Sequence, residues 1–177
     1  VSNIKDTSYK KHYINIKYEY KDAIKKLGAK WDTNCSKWYY EDIISDENKK
    51  AILDIEIMSA KKLIQNFYKS DALIDAEIMK EFLHPEIILD WNSSKGFVQL
   101  NYDGILDLAG ELSKAYVRSK VRISHILSEN ELVSVRYSHY VKTIENPREE
   151  MFLANFIVIW QIKDNQLFRG YQMSQIS

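Results

Sequence analysis

Two of the four histidines stand where strand alternation can bring them together. From Leu132 to Thr143, one face carries Val133, Val135, Tyr137, His139 and Val141, and the other carries Arg136, Ser138 and Tyr140. On the preceding strand Val121, Ile123, His125 and Leu127 share a face. His125 and His139 are therefore expected on one concave face, with Tyr137 beside them. An imidazole titrates near neutrality, and a phenol can hold or donate a proton, so the set suits acid/base work. Phe156, Val158, Trp160 and Ile162 alternate together and would supply an apolar wall. The competing reading makes both histidines hydrogen-bonded core or interface residues. Both faces of the sheet are half-apolar, which leaves open which one lines a pocket.

Other chemistries are thinly represented. The single cysteine, Cys35, allows no intramolecular disulfide and no thiolate zinc cluster, so no metal site is expected. It lies in a turn, and covalent catalysis by it is not expected. No phosphate-binding glycine loop, dinucleotide fingerprint, His-Glu-x-x-His or nucleophile elbow is present, so no cofactor is expected. Near the N-terminus Lys30, Trp31, Lys37 and Trp38 lie close in sequence, with Tyr39 and Tyr40 following. Lysines interleaved with aromatics can meet phosphates and stack on bases, which is a nucleic-acid reading. Against it, the tryptophans can be the core of a very small fold whose lysines keep it soluble.

The elements that would position the histidines centre on Met151 to Ile162, MFLANFIVIWQI, a stretch rich in β-branched and aromatic residues that reads as a buried strand. With Glu131 to Thr143 it makes a long hairpin, turned at Asn146-Pro147. Lys163 to Gln166 is a further turn, and Leu167 to Gln175 a last strand. Upstream, Asp71 or Asp75 caps a helix that ends before His84-Pro85. Glu86 to Trp91 and Phe97 to Asn101 read as strands, and Ile105 to Tyr116 as a helix. Helices gathered on one side of an antiparallel sheet give an α+β domain.

The 177 residues include 45% apolar side chains and equal numbers of acids and bases, 25 each. A net charge of zero gives no general attraction to nucleic acid or anionic membrane. No apolar run approaches the ~18 residues of a membrane span, and no apolar signal-peptide core opens the chain, so a cytoplasmic location is expected. The charge is uneven, however: the first forty residues carry nine lysines against four acids. That shift suggests two units. In the first, Tyr13 to Tyr18 reads as a strand, Lys21 to Leu27 as a helix closed by Gly28, and Lys37 to Tyr40 as a second strand, with the two tryptophans as core. Ser45 can cap a helix over much of Asp46 to Lys69, broken near Asp54 to Ser59 where apolar residues alternate. A stiff helical junction is expected from it.

The stretch KDAIKKLGAKWDTNCSKWYY resembles the signature of a domain of unknown function, family 5710, over about residues 13–40. The Gly-Ala-Lys-Trp-Asp core and the Trp-Tyr pair carry the likeness, and Ile24 departs from it. That family often occurs attached to other bacterial domains, including primase-like and mobile-element proteins. The resemblance implies a bacterial source and no activity.

From about residue 58 to 177 the element order is similar to the nuclear transport factor 2-like (SnoaL-like) superfamily. The resemblance rests on Asn66-Phe67-Tyr68, on Phe82 to Pro85 with the strand ending in Asp90-Trp91, on Trp160 to Leu167, and on the terminal strand. It implies a cone-shaped, cystatin-like α+β barrel, in which a curved antiparallel sheet wraps helices around a pocket. It further implies a general-base carboxylate at Asp90, as in ketosteroid-isomerase-like members, and a hydroxyl at Tyr68. The second acid of those enzymes falls at about Val158, which cannot donate, and this counts against isomerase chemistry. Dimerisation through the sheet is common in the superfamily. Leu153, Ile157, Ile159 and Tyr140 on an outer face imply a homodimer.

The expected organisation is a small basic domain over 1–45, a helical connection over 46–57 and the cone domain over 58–177. The leading functional reading is a dimeric binding or scaffold protein for a small apolar ligand, faced by Trp91, His125, Tyr137, Phe156 and Trp160. The second is a cofactor-free isomerase or lyase using Asp90, His139 and Tyr68. The third is a nucleic-acid-associated adaptor acting through the basic N-terminal unit.

Overall fold

A computed structural model describes residues 9–176. The first eight residues of the expected 1–45 domain, and Ser177, lie outside the described residues. The chain divides into two compact units, 1–59 and 60–177.

The first unit has three strands: β1 (Lys11–Ile14), β2 (Lys30–Asp32) and β3 (Lys37–Glu41), in the order β1-β3-β2. The strand expected over 13–18 sits earlier, and Tyr18–Tyr20 is a 3₁₀ turn leading into helix α1 (Lys21–Lys26). Gly28, at φ 98°, closes α1, with its N–H on the Lys25 carbonyl. The expected two-tryptophan core is only partly present: Ile14, Ile24, Ala29 and Ile52 are buried, and Trp38 packs against them. Trp31, on the edge strand β2, is 48% exposed with Trp38 against its ring, and Trp38 is only half-buried. Ile52 belongs to α2 (Asp46–Lys69), capped by the Ser45 hydroxyl, which accepts from Asn48 N–H. The helix runs through Asp54 to Ser59 without the expected break, because its carboxylates and hydroxyls find partners there. Glu56 accepts the Asn15 N–H at 2.7 Å and Ser59 the Lys17 N–H at 3.2 Å. The stretch expected as a connection thus supplies part of the small unit's core. On the sheet's other face Asp32 is buried and accepts from Lys11 Nζ, Tyr13 hydroxyl and Asn34 N–H, which together hold its carboxyl down to about 2.

The second unit is a curved six-stranded sheet packed on helices. Its helices are the end of α2, α3 (Ala76–Lys80) and α4 (Tyr102–Ser113). Its strands are β4 (Leu83–Ser93), β5 (Gly96–Asn101), β6 (Tyr116–Glu129), β7 (Leu132–Thr143), β8 (Met151–Lys163) and β9 (Gln166–Ile176). Asp75 caps α3, accepting from the Glu77 and Ile78 N–H groups, and Asn101 caps α4, accepting from the Gly104 N–H. The strand order is β5-β4-β9-β8-β7-β6. All pairs are antiparallel, as expected, except β4–β9, which is parallel. The meander β6 to β9 returns its last strand alongside β4 in the same direction. The core lies between the inner sheet face (Val133, Val135, Val158, Leu167) and the helices (Leu63, Ile64, Phe67, Met79, Ile105).

Gly170 on β9 is opposite Trp160 on β8 and Leu89 on β4. A Cβ there would stand 2.5 Å from the Trp160 ring and 2.6 Å from a Leu89 methyl. Gly170 is what lets the Trp160 ring approach the strand this closely. Gly170→Ala is expected to destabilise the protein by roughly 1–3 kcal/mol through overpacking. Urea unfolding measures it, and an unchanged midpoint would refute the close approach.

Candidate functional site

The inner face of β7 and β8 carries aromatic and polar side chains that converge with α2. Tyr68, on the last turns of α2, is buried, and its hydroxyl accepts from Trp160 Nε1 at 2.9 Å. Its ring lies 4.5 Å from that of Tyr137, which stacks on Phe156 at 4.9 Å. Trp91, on β4, donates its Nε1–H to Ser174 Oγ at 2.8 Å. His139 is buried next to Phe156, with Nε2 at 2.8 Å from Ser119 Oγ on β6. Gln172, opposite Trp91 and Val158, is buried on the same face.

Among these side chains lies a partly open cavity of about 140 Å3. Tyr68, Trp91, Tyr137, His139, Phe156 and Trp160 all line it, so six of the eight residues expected at a catalytic or ligand site come together. The rest of the lining is almost wholly apolar, from α3, α4 and neighbouring strands, and among the described residues includes no carboxylate. Gln172 and His139 provide its polar character.

Two expected members are elsewhere. Asp90 alternates with Leu89 and Trp91, pairs in register with Tyr171, and accepts from Gln99 Nε2 at 2.8 Å. It therefore stands on the outer face, and the trio Asp90, His139 and Tyr68 is not assembled. His125 is turned out by a β-bulge: β6 slips against β7 between Ile123 and His125, so Ile126 takes the inward place and His125 is exposed. A second bulge beside Tyr140 leaves Leu153 without a partner on β7, and Leu153 reaches the cavity rather than the outer face.

Sequence reasoning missed Ser119 and Gln172. Ser119 is two residues before Val121, and extending that alternation would have found it. Gln172 stands two residues after inward Gly170, on the same face.

The electrostatics of the cavity are those of neutral groups. Burial pushes the Tyr68 hydroxyl well above its usual range, and the Tyr137 hydroxyl likewise, so both stay protonated. Burial also holds His139 down to about 4. A neutral imidazole can donate or accept one hydrogen bond but is a weak base near neutrality. Among the described residues no group of three or more His, Cys, Asp or Glu could hold a metal ion.

In the small unit the nucleic-acid set is divided. Trp31 pairs across the sheet with Trp38, while Lys30 faces Tyr39 and Lys37 faces Asp32. Cross-strand partners share a face and consecutive residues alternate, so the tryptophans and lysines lie on opposite faces. Lys30 is also ion-paired to Glu41 at 2.7 Å.

Residues 11–50 match the family model described as a domain of unknown function (DUF5710). None of the curated proteins compared with the chain is similar in sequence. Among solved structures, the chain is similar to a candidate SnoaL-like polyketide cyclase from Jannaschia sp. CCS1, at 10% identity and TM-score 0.50 over 65% of this chain and 84% of that one. It is similar to IdmH, a candidate polyketide cyclase from Streptomyces antibioticus, at 13% identity and TM-score 0.52 over 65% and 91%. It is also similar to AusH from Aspergillus nidulans, at 13% identity and TM-score 0.53 over 65% and 82%. The C-terminal unit therefore has the nuclear transport factor 2-like (SnoaL-like) fold. No described helix is long and apolar enough to cross a membrane.

The His139 environment gives a signed pH dependence. Its folded-state pKa, about 4, lies below the unfolded value of ~6.5, so the unfolded chain binds more protons between them. This contribution is full above about pH 6.5 and is lost as pH falls toward about 4, by roughly 3 kcal/mol. Urea titrations from pH 7 to 4 are expected to show a shallower stability loss for His139→Gln than for the wild type. Parallel curves would refute a neutral, buried His139.

Proposed function

We propose that the C-terminal unit binds a small, ring-sized apolar molecule carrying one polar atom. The cavity beneath Trp160 carries this reading: about 140 Å3, apolar walls, and His139 and Gln172 as hydrogen-bonding groups. Apolar cavities of ~150 Å3 in proteins stay dry and take up benzene. Drug-sized ligands need ~300–1,000 Å3, so the volume favours a single ring over a folded polyketide, the substrate class in the names of the candidate cyclases. Binding is favoured over isomerase or lyase chemistry because Asp90 faces away and His139 is a weak base.

Toluene and 4-methylphenol are expected to bind with Kd of roughly 0.1–1 mM, the range open to ligands of so few atoms. NMR shift perturbation should centre on Phe156, Trp160 and His139. Ala109, buried in the cavity lining, offers a filling variant. Ala109→Leu should abolish binding while leaving the circular dichroism spectrum and urea midpoint intact. No perturbation near the solubility limit of either probe would sink the reading.

The outer face of the same sheet supports a homodimer. Ile157 pairs in register with Met173 and Ile159 with Tyr171, making one exposed apolar patch across β8 and β9. Contiguous apolar surface of this kind marks an interaction site. Light scattering at micromolar concentration is expected to give twice the 20.9 kDa chain mass. Ile157→Glu with Met173→Glu should return the monomer, and a monomeric wild type would refute the dimer.

A further inference from the structure

Strand β6 is the last in the sheet order, so among the described residues one of its edges has no strand beside it. At 14 residues it is far longer than the ~5–6 of an average strand. The Ser119 N–H on that edge goes to Asp71 Oδ1 at 3.3 Å, so the Ser119–Val141 pair is not bonded through this N–H. By antiparallel alternation the backbone groups of Val121 and Ile123 also point to the open edge, up to the bulge after Ile123. The edge is bordered by two adjoining hollows, of about 630 and 350 Å3, which share Tyr68, Lys69 and Val121. Together they follow β6 from residue 117 to 126, a span of roughly 30 Å at strand rise. One wall is the end of α2, through Gln65, Tyr68 and Lys69, and the floor beside it is Val121, Ile123 and Ile126. An open strand edge facing a helix across a groove is the arrangement that receives peptides by strand addition.

The charge of the groove selects the occupant. Lys69, Arg118, Lys120 and Lys142 line it against Glu150, with Asp71 at its Ser119 end, in a chain whose net charge is zero. Glu150 is paired with Lys120 and Arg122, and the Asp71 carboxylate stands 4.0 Å from Arg118. Cationic excess remains after those pairs. A second copy of β6 would bring Arg118, Lys120 and Arg122 against like charges, which disfavours edge-to-edge self-pairing. We propose that the groove between α2 and β6 binds an extended acidic peptide segment of a partner protein, added as a seventh strand on the β6 edge.

Fluorescence anisotropy tests this with labelled decapeptides on the full chain. A peptide of alternating glutamate and valine is expected to bind with Kd below ~1 mM. Replacing its valines by proline removes the N–H groups a strand must donate and should weaken binding at least ~10-fold. Replacing its glutamates by lysine should do the same, as should Lys69→Glu with Lys120→Glu in the protein. Hydrogen exchange should slow at Val121 and Ile123 only with the glutamate–valine peptide. Absence of binding overturns the proposal. Equal binding of the proline peptide overturns strand addition in favour of charge alone, and equal binding of the lysine peptide overturns the acidic partner. Toluene binding to the interior cavity is unaffected in every case.

Discussion

The hydrogen bond from Trp160 Nε1 to the Tyr68 hydroxyl ties sheet to helix at the centre of the cone. Both groups are buried, and a buried indole N–H or phenol left without a partner costs on the order of 1–3 kcal/mol. Each therefore fixes the other. Tyr68 sits on the last turns of α2, so this bond sets where that helix ends over the sheet. Tyr137 lies tilted against the Tyr68 ring and stacks on Phe156, and Gly170 leaves room for the Trp160 indole to reach. The cavity is the space these large planar side chains leave next to the smaller Ala109 of α4. Its size follows from aromatic packing geometry, which fills less flexibly than aliphatic packing.

Period-two alternation gave most of the inner face directly. Along β7 and β8 it holds without interruption from Val133 to His139 and from Ala154 to Trp160, so Tyr137, His139, Phe156 and Trp160 were legible from spacing alone. It failed where one extra residue enters a ladder. The slip beside His125 and the one beside Tyr140 each reverse the faces beyond them, and no residue type in SHI or FLA marks a bulge. Asp90 failed differently. Its own neighbours, Leu89 and Trp91, are apolar and take the inner face, and that local pattern outweighs the place a family resemblance assigns to a carboxylate. The parallel β4–β9 pair was not legible, because pairing between strands some eighty residues apart leaves no local signature.

The small unit shows how composition can mislead about a surface. Its lysine excess reads as a basic patch, yet Lys11 is committed to Asp32 and Lys30 to Glu41. Tryptophan, the largest apolar side chain, was the natural candidate for a tiny core. The core also recruits Ile52 from α2, and that borrowed helix face supplies the burial a forty-residue segment lacks. With an aliphatic core in place, Trp31 is left free to sit on the edge strand, half in solvent.

Inside and edge of the cone domain obey opposite electrostatics for one reason. Moving an ionised group out of water costs several kcal/mol unless a partner compensates, so the interior keeps its imidazole neutral and its phenols protonated, and among the described residues holds no carboxylate. The cations of β6 remain where water and Glu150 solvate them. A ligand entering the cavity must therefore leave its charge behind, whereas a segment lying along β6 keeps its charges in water and gains from them. The two sites select opposite chemistry from one sheet, and Ser119 marks the boundary between them. Its hydroxyl meets His139 on the inside, while its N–H turns outward to Asp71.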